Sequence, residues 1–248
     1  MKILIATNNP AKVREIQAVL AAAAFSPAHL SPHLLNCSTL SSLTPSPSLQ
    51  WASLSELPSP IPEPEETGTT FLENATLKAT YYARTSGMLA LADDSGLEVD
   101  ALAGEPGVHS AYFDRTAAHL PRPQRDAANN AKLVAAMSGL PLERRTARYH
   151  CVMVLASPTS SPASVDGILA TAHGNVRVLA TAHGVFEGLI IDEPRGAGGF
   201  GYDPYFLIPD LQKTAAELPA EHKNRISHRG KALNAMREKI LGLLNSGE

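Results

Sequence analysis

The most telling stretch of the chain is "LALADDSGLEVDAL", residues 89–102. An apolar run of strand length drives into two adjacent carboxylates, Asp93 and Asp94. Burying a charge is costly unless it is paired, hydrogen-bonded or neutralised by a metal. Either the strand stops in a turn, for which Asp-Asp-Ser-Gly is good chemistry, or the acids meet positive charge. Residues 88–92 read as a strand ending at Asp93. Alternation along a strand sends Asp93 and Asp94 to opposite sides, Asp94 to a cleft and Asp93 to steady the turn or stand behind the site.

Upstream, "KILIAT" (Lys2–Thr7) reads as a buried strand, followed by a helix with Val13, Ile16 and Leu20 on one stripe. Asn9 as N-cap and Pro10 at the first helical position mark its start. A second helix opens with Thr70 and Glu73 at capping-box spacing. Downstream, a helix fits Pro123–Met137 and a long strand fits Arg148–Ser157. A last helix begins at Ser227, with Leu233, Met236, Ile240 and Leu244 buried. Strands alternating with helices give the α/β class, with a mixed sheet and a cleft. Hairpin spacing after Tyr149 argues against a purely parallel sheet.

Two stretches interrupt this pattern. Ser26–Pro64 is rich in proline and serine and reads mostly as loop, with a strand near Ala28–Leu35 and Trp51 able to pin it to the body. "LATAHG" occurs twice, at Leu169–Gly174 and Leu179–Gly184, which suggests a hairpin extended by local duplication. Its histidines, His173 and His183, lack further metal ligands at useful spacing.

The chain has 248 residues, 44% of them hydrophobic, and a net charge of -3. This suits a substantial core and leaves no basic stripe for nucleic acid. Two cysteines, Cys37 and Cys151, make no disulfide framework. No apolar run is long enough for a signal peptide or a membrane span. The expectation is a soluble, cytoplasmic protein that binds neither nucleic acid nor membrane.

Cations stand in first turns, where the helix dipole disfavours them. Lys12 does so in the first helix, and His228 and Arg229 in the last. An anionic ligand reverses the sign, because N–H groups and side-chain cations then converge on it. Asn8, Asn9 and Lys223 flank these positions, and Lys78 shares a helical face with Asn74. There is no P-loop and no GxGxxG after a strand. "GAGGFGYDP" (Gly196–Pro204) reads as a tight loop that brings Phe200 or Tyr202 to a ligand as a stacking surface. Acids facing a polyphosphate require Mg²⁺ between them, and Glu65, Glu66, Asp93 and Asp94 are the candidates. One such carboxylate can also deprotonate an attacking water.

Together "TNNPAKVREI", "EETGTTFLENATLKA", "ADDSGLEVDAL", "GEPGVHSAYF", "GGFGYDPYF", "KTAAEL" and "SHRGKAL" resemble the inosine triphosphate pyrophosphatases, also called the Ham1-like family. The resemblance runs from Met1 to about Leu244, outside the insertions. It implies one domain over residues 1–248, with a Pro/Ser-rich insertion at about 26–64 and a hairpin insertion at about 158–180. It implies an elongated mixed α/β fold whose twisted sheet and flanking helices form two lobes around a central cleft, and a homodimer. The implied activity is Mg²⁺-dependent hydrolysis of ITP, dITP and XTP to the monophosphate and pyrophosphate, which keeps deaminated purines out of nucleic acids.

By the same resemblance, Thr7, Asn8, Asn9, Pro10, Ala11 and Lys12 form a phosphate-binding loop. Asp94 is proton acceptor and metal ligand, and Ser95 touches substrate. Glu65 is a second metal position, with Glu66 open as an alternative. Phe200, Gly201, Tyr202 and Asp203 form the base-binding segment. Lys223, His228 and Arg229 complete the substrate contacts, and Lys78 fits a phosphate contact. The rival readings are a pyrophosphatase selective for a different modified base and a nucleotide-binding regulator without catalysis.

Overall fold

A computed structural model of the chain describes residues 2–24, 49–159 and 176–246. The strand expected near Ala28–Leu35, and the first LATAHG copy with His173, lie outside the described residues.

Strand β1 (Lys2–Ile5) is followed by helix α1 (Pro10–Ala24). Asn9 caps the helix, its Oδ1 accepting from the Ala11 N–H at 3.0 Å. Next comes β2 (Gln50–Ser53), within the stretch expected to be loop. That expectation is corrected: Lys2–Ile5 and Gln50–Ser53 pair in parallel, and Ala52 is buried. The neighbouring strand, rather than local propensity, makes those four residues extended.

Helix α2 (Phe71–Ser86) starts at the expected capping box, with the Glu73 N–H donating to Thr70 Oγ1 at 3.1 Å. It stops at Gly87, whose φ of 68° suits a residue without a Cβ. Strand β3 (Leu89–Val99) then runs straight through Asp93 and Asp94 instead of ending at the first. Helix α3 (Arg122–Ala136), the long strands β4 (Thr146–Pro158) and β5 (Val176–Ile190), and the short strands β6 (Phe206–Ile208) and β7 (Lys213–Thr214) follow. The chain closes with α4 (Ala220–Ile226) and α5 (His228–Ser246).

The sheet order is β2-β1-β3-β4-β5-β6-β7. Its first three strands are parallel, and from β3 onward every pairing is antiparallel. The second LATAHG copy lies in β5, where the register shifts opposite Leu155/Ala156.

Alternation sorts the core. Ala90, Ala92, Val154 and Ala156 pack on one side with Ala75, Ala79 and Tyr82 of α2. Leu91, Met153 and Leu155 pack on the other with Ile16 of α1 and Leu233, Met236 and Ile240 of α5. A third cluster joins Leu97, Phe186, Ile190 and Phe206 to Leu133 and Met137, around α3. These are two lobes that share β3, β4 and β5. Gly184 lets α5 approach the sheet, since a Cβ there would sit 2.1 Å from the His228 carbonyl oxygen.

β1 pairs with β3 only as far as Ile5↔Leu91. β3 therefore outruns its parallel neighbour, and from Asp93 to Leu97 β4 is the only strand that pairs with it among the described residues, before Glu98 bridges to Pro106. A cleft opens there, beyond the carboxyl end of β1 and beside the start of α1. Ligands of open α/β sheets gather at such positions.

Candidate active site

The cleft has a volume of about 600 Å³. Its lining includes Thr7, Asn8, Asn9, Lys12, Lys78, Asp94, Ser95, Phe200, Gly201, Tyr202, Asp203, Lys223, His228 and Arg229. Segments far apart in sequence thus meet in one place. Pro10 and Ala11 do not line it: proline has no N–H to offer, and the Ala11 N–H is taken by Asn9. Both residues of the doubled acid are exposed, but Glu66 lines the cleft and Glu65 does not.

The two aspartates part to opposite faces of the sheet, as alternation requires. Asp94 meets α2, where Lys78 Nζ donates to its Oδ1 at 2.9 Å and Asn74 Nδ2 approaches its Oδ2 at 3.4 Å. Asp93 meets the opposite face, with Lys12 Nζ 2.9 Å and an Arg229 nitrogen 3.6 Å from its Oδ2. Of its two expected roles, Asp93 therefore takes the one behind the site, as the buried counter-ion of Lys12 and Arg229, rather than that of a turn former. Arg229 also donates to Ser95 Oγ at 2.9 Å and pairs with Glu15 of α1.

The environments drive the two acids apart electrostatically. Burial opposes ionisation of Asp93, but Lys12, then Arg229 and Lys78, outweigh it and hold the carboxyl below the usual range. Burial raises Asp94; Lys78 and Lys12 only partly offset this, and the Glu66 charge pushes the same way as burial. Paired groups with opposite shifts are how sites divide supporting and reacting roles. Lys78 is buried against its own charge, yet Asp94, Asp93 and Glu66 keep it firmly protonated.

Lys78 Nζ also donates to Glu66 Oε1 at 2.6 Å, so one ammonium draws Glu66 and Asp94 together. The loop carrying Glu66 is fixed by Asn74, whose Oδ1 accepts from the Gly68 N–H at 2.8 Å; a Cβ on Gly68 would sit 2.6 Å from that oxygen. Two converging carboxylates, one resisting ionisation, suit a hard cation that takes one or two carboxylates and completes its shell with water and ligand oxygens. Among the described residues no group of three or more His, Cys, Asp or Glu is placed to hold a metal ion.

The other end of the cleft is aromatic. His228 stacks on Tyr149 with centroids 4.7 Å apart. Burial, then Arg229 and Lys223, lower the imidazole well below its ordinary value, so it is neutral at pH 7. Asp203 Oδ2 accepts from the Phe200 N–H at 2.8 Å and from Lys223 Nζ at 2.7 Å, which ties the glycine-rich loop to α4. Sequence reasoning missed Glu15, Tyr149 and three α3 residues, Arg122, Asp126 and Asn130. Glu15 follows Lys12 at helical spacing, and the α3 residues stand four apart, but nothing local shows what they face.

A model of the Ham1 family matches residues 3–239. A dITP/XTP pyrophosphatase of Desulforamulus reducens is 42% identical over 245 residues, which cover 99% of this chain and 96% of the relative. One from Thermus thermophilus is 42% identical over 238 residues, covering 96% and 91%. Among solved structures, a HAM1 protein from Coxiella burnetii aligns with a TM-score of 0.70 at 34% identity, covering 98% of this chain and 99% of that one. The Ham1 protein of Staphylococcus aureus aligns with a TM-score of 0.68 at 31% identity and the same coverage.

Proposed function

The chain belongs to the Ham1 family, and from that premise we propose that it is a nucleoside triphosphate pyrophosphatase acting on dITP, XTP and ITP. It would release the monophosphate and pyrophosphate and so clear deaminated purine nucleotides from the pool. The observation that carries this reading is the cleft's division. Lys78 joins Asp94 and Glu66 at one end, and the Phe200–Asp203 loop faces His228 at the other.

Asp94 and Glu66 would hold Mg²⁺, which supplies positive charge to the phosphate oxygens when bound. Lys12 and Lys78, with the chain at the start of α1, receive the phosphates. Asp94 accepts a proton from water as its oxygen attacks the α-phosphorus, and the bond to pyrophosphate breaks. Lys12 and Lys78 hold the charge that develops on the leaving group. The ammonium of Lys223 and the guanidinium of Arg229 are donors only, so they suit a 6-oxo purine and cannot accept from adenine's 6-amino group. We read the chain as one domain working as a cytoplasmic homodimer, which the family resemblance supports and light scattering of the purified protein tests for oligomeric state.

The direct test is hydrolysis of dITP, XTP, GTP, ATP and UTP, with and without Mg²⁺, with the products identified. Metal-dependent pyrophosphate release from dITP and XTP is expected. Preference for UTP or ATP would refute the base assignment, and nucleotide binding without turnover would refute the enzyme.

A further inference from the structure

Helix α3 presents Arg122, Asp126 and Asn130 at successive four-residue steps, hence along one stripe. All three meet the glycine-rich loop. Asp126 Oδ2 accepts from the Gly201 N–H at 3.2 Å, and Asn130 Nδ2 donates to the Gly201 carbonyl at 3.0 Å. The Arg122 guanidinium lies 5.0 Å from the centre of the Phe200 ring. Both backbone polar groups of Gly201, at φ 62°, are thus gripped by one helix. The α3 residue just before Asn130, Asn129, binds the Asp114 N–H and the Ala111 carbonyl. The helix is therefore anchored on the wall that also carries Tyr112.

We propose that Asp126 and Asn130 are specificity-positioning residues: by clamping Gly201 they set the pose in which Phe200 meets the purine. This rests on the reading of Phe200–Asp203 as the base-binding segment. A clamp on the base loop whose hydrogen bonds go to Gly201, and not to Lys78 or Asp94, controls which base is accepted and how tightly. It leaves the bond-breaking step alone.

The test compares dITP, dATP and a ribose triphosphate lacking a base, using Asn130→Ala, Asn130→Asp, Asp126→Ala and Asp126→Asn. Asn130→Asp keeps the shape and loses the donor, while Asp126→Asn keeps an acceptor. The expected result is about a tenfold fall in the dITP-over-dATP ratio of kcat/KM for Asn130→Ala, Asn130→Asp and Asp126→Ala, the scale of one lost hydrogen bond. That fall is carried by KM for dITP, with the base-free substrate unaffected. Asp126→Asn should restore discrimination. Asp126 is partly exposed, so its variants keep the test open if the Asn130 variants unfold. Equal losses on all three substrates, or an unchanged ratio, would overturn the clamp. A parent protein that does not prefer dITP to dATP would instead overturn the base-binding assignment beneath it.

Discussion

At the scale of single residues, the adjacent aspartates are electrostatic opposites. Asp93 has a depressed pKa, so its contribution to stability is present above the unfolded value and lost as pH falls through the folded one. Asp94 has a raised pKa, so its ionised form costs stability as pH rises through that value. Asp93→Asn should therefore lower stability by on the order of 3 kcal/mol, because buried Arg229 and half-buried Lys12 lose their shared partner. Asp94→Asn should cut kcat by about 10²-fold or more, and it should cost less stability than Asp93→Asn, because the burial penalty on Asp94 goes and Lys78 keeps Glu66 as a partner. Thermal melts with parallel turnover assays check both, and equal destabilisation by the two changes would contradict the division. His228 has a depressed pKa and is buried, so the unfolded chain takes up its proton first. Stability should fall as pH drops below about 6.5, the ordinary histidine value. His228→Phe should flatten that slope in melts recorded across this range.

At the scale of elements, the starts of α1, α2 and α5 were legible because their caps are local: Asn9 before Pro10, Thr70 with Glu73, and Ser227, whose Oγ accepts from the Gly230 N–H at 3.2 Å. The continuation of β3 past Asp93 was not. It depends on cations supplied by α1, α2 and α5, whose arrival no local pattern announces. β2 was hidden for a similar reason, since its four residues become a strand only beside β1. The site residues followed the same rule. Motif positions such as Lys12, Lys78 and Arg229 could be read, whereas their counter-ion Glu15 and the α3 stripe required the fold. The seating of α5 gives a prediction at this scale. Gly184→Ala places a Cβ 2.1 Å from the His228 carbonyl oxygen and 2.6 Å from the Ala232 nitrogen, both backbone atoms that cannot yield alone. The helix must shift, at a cost of about 2 kcal/mol or more. It carries His228 and Arg229 with it, so KM should rise along with the lower Tm. Unchanged kinetics would show that helix position does not govern the aromatic end of the cleft.

At the scale of the whole molecule, the sheet changes from parallel to antiparallel at β3, and that change makes the site. β1 ends early and delivers the start of α1, while β3 runs on and carries Asp94 and Ser95 into the opening. The antiparallel half supplies the aromatic end, and the cleft joins the two lobes. In the proposed reaction, water activated by Asp94 attacks the α-phosphorus of a deaminated purine nucleotide. Hydrolysis of dITP in ¹⁸O-labelled water, with the products resolved by mass spectrometry, tests it most directly. One labelled oxygen in dIMP and none in pyrophosphate is the predicted result; label in pyrophosphate, or release of orthophosphate, would contradict it.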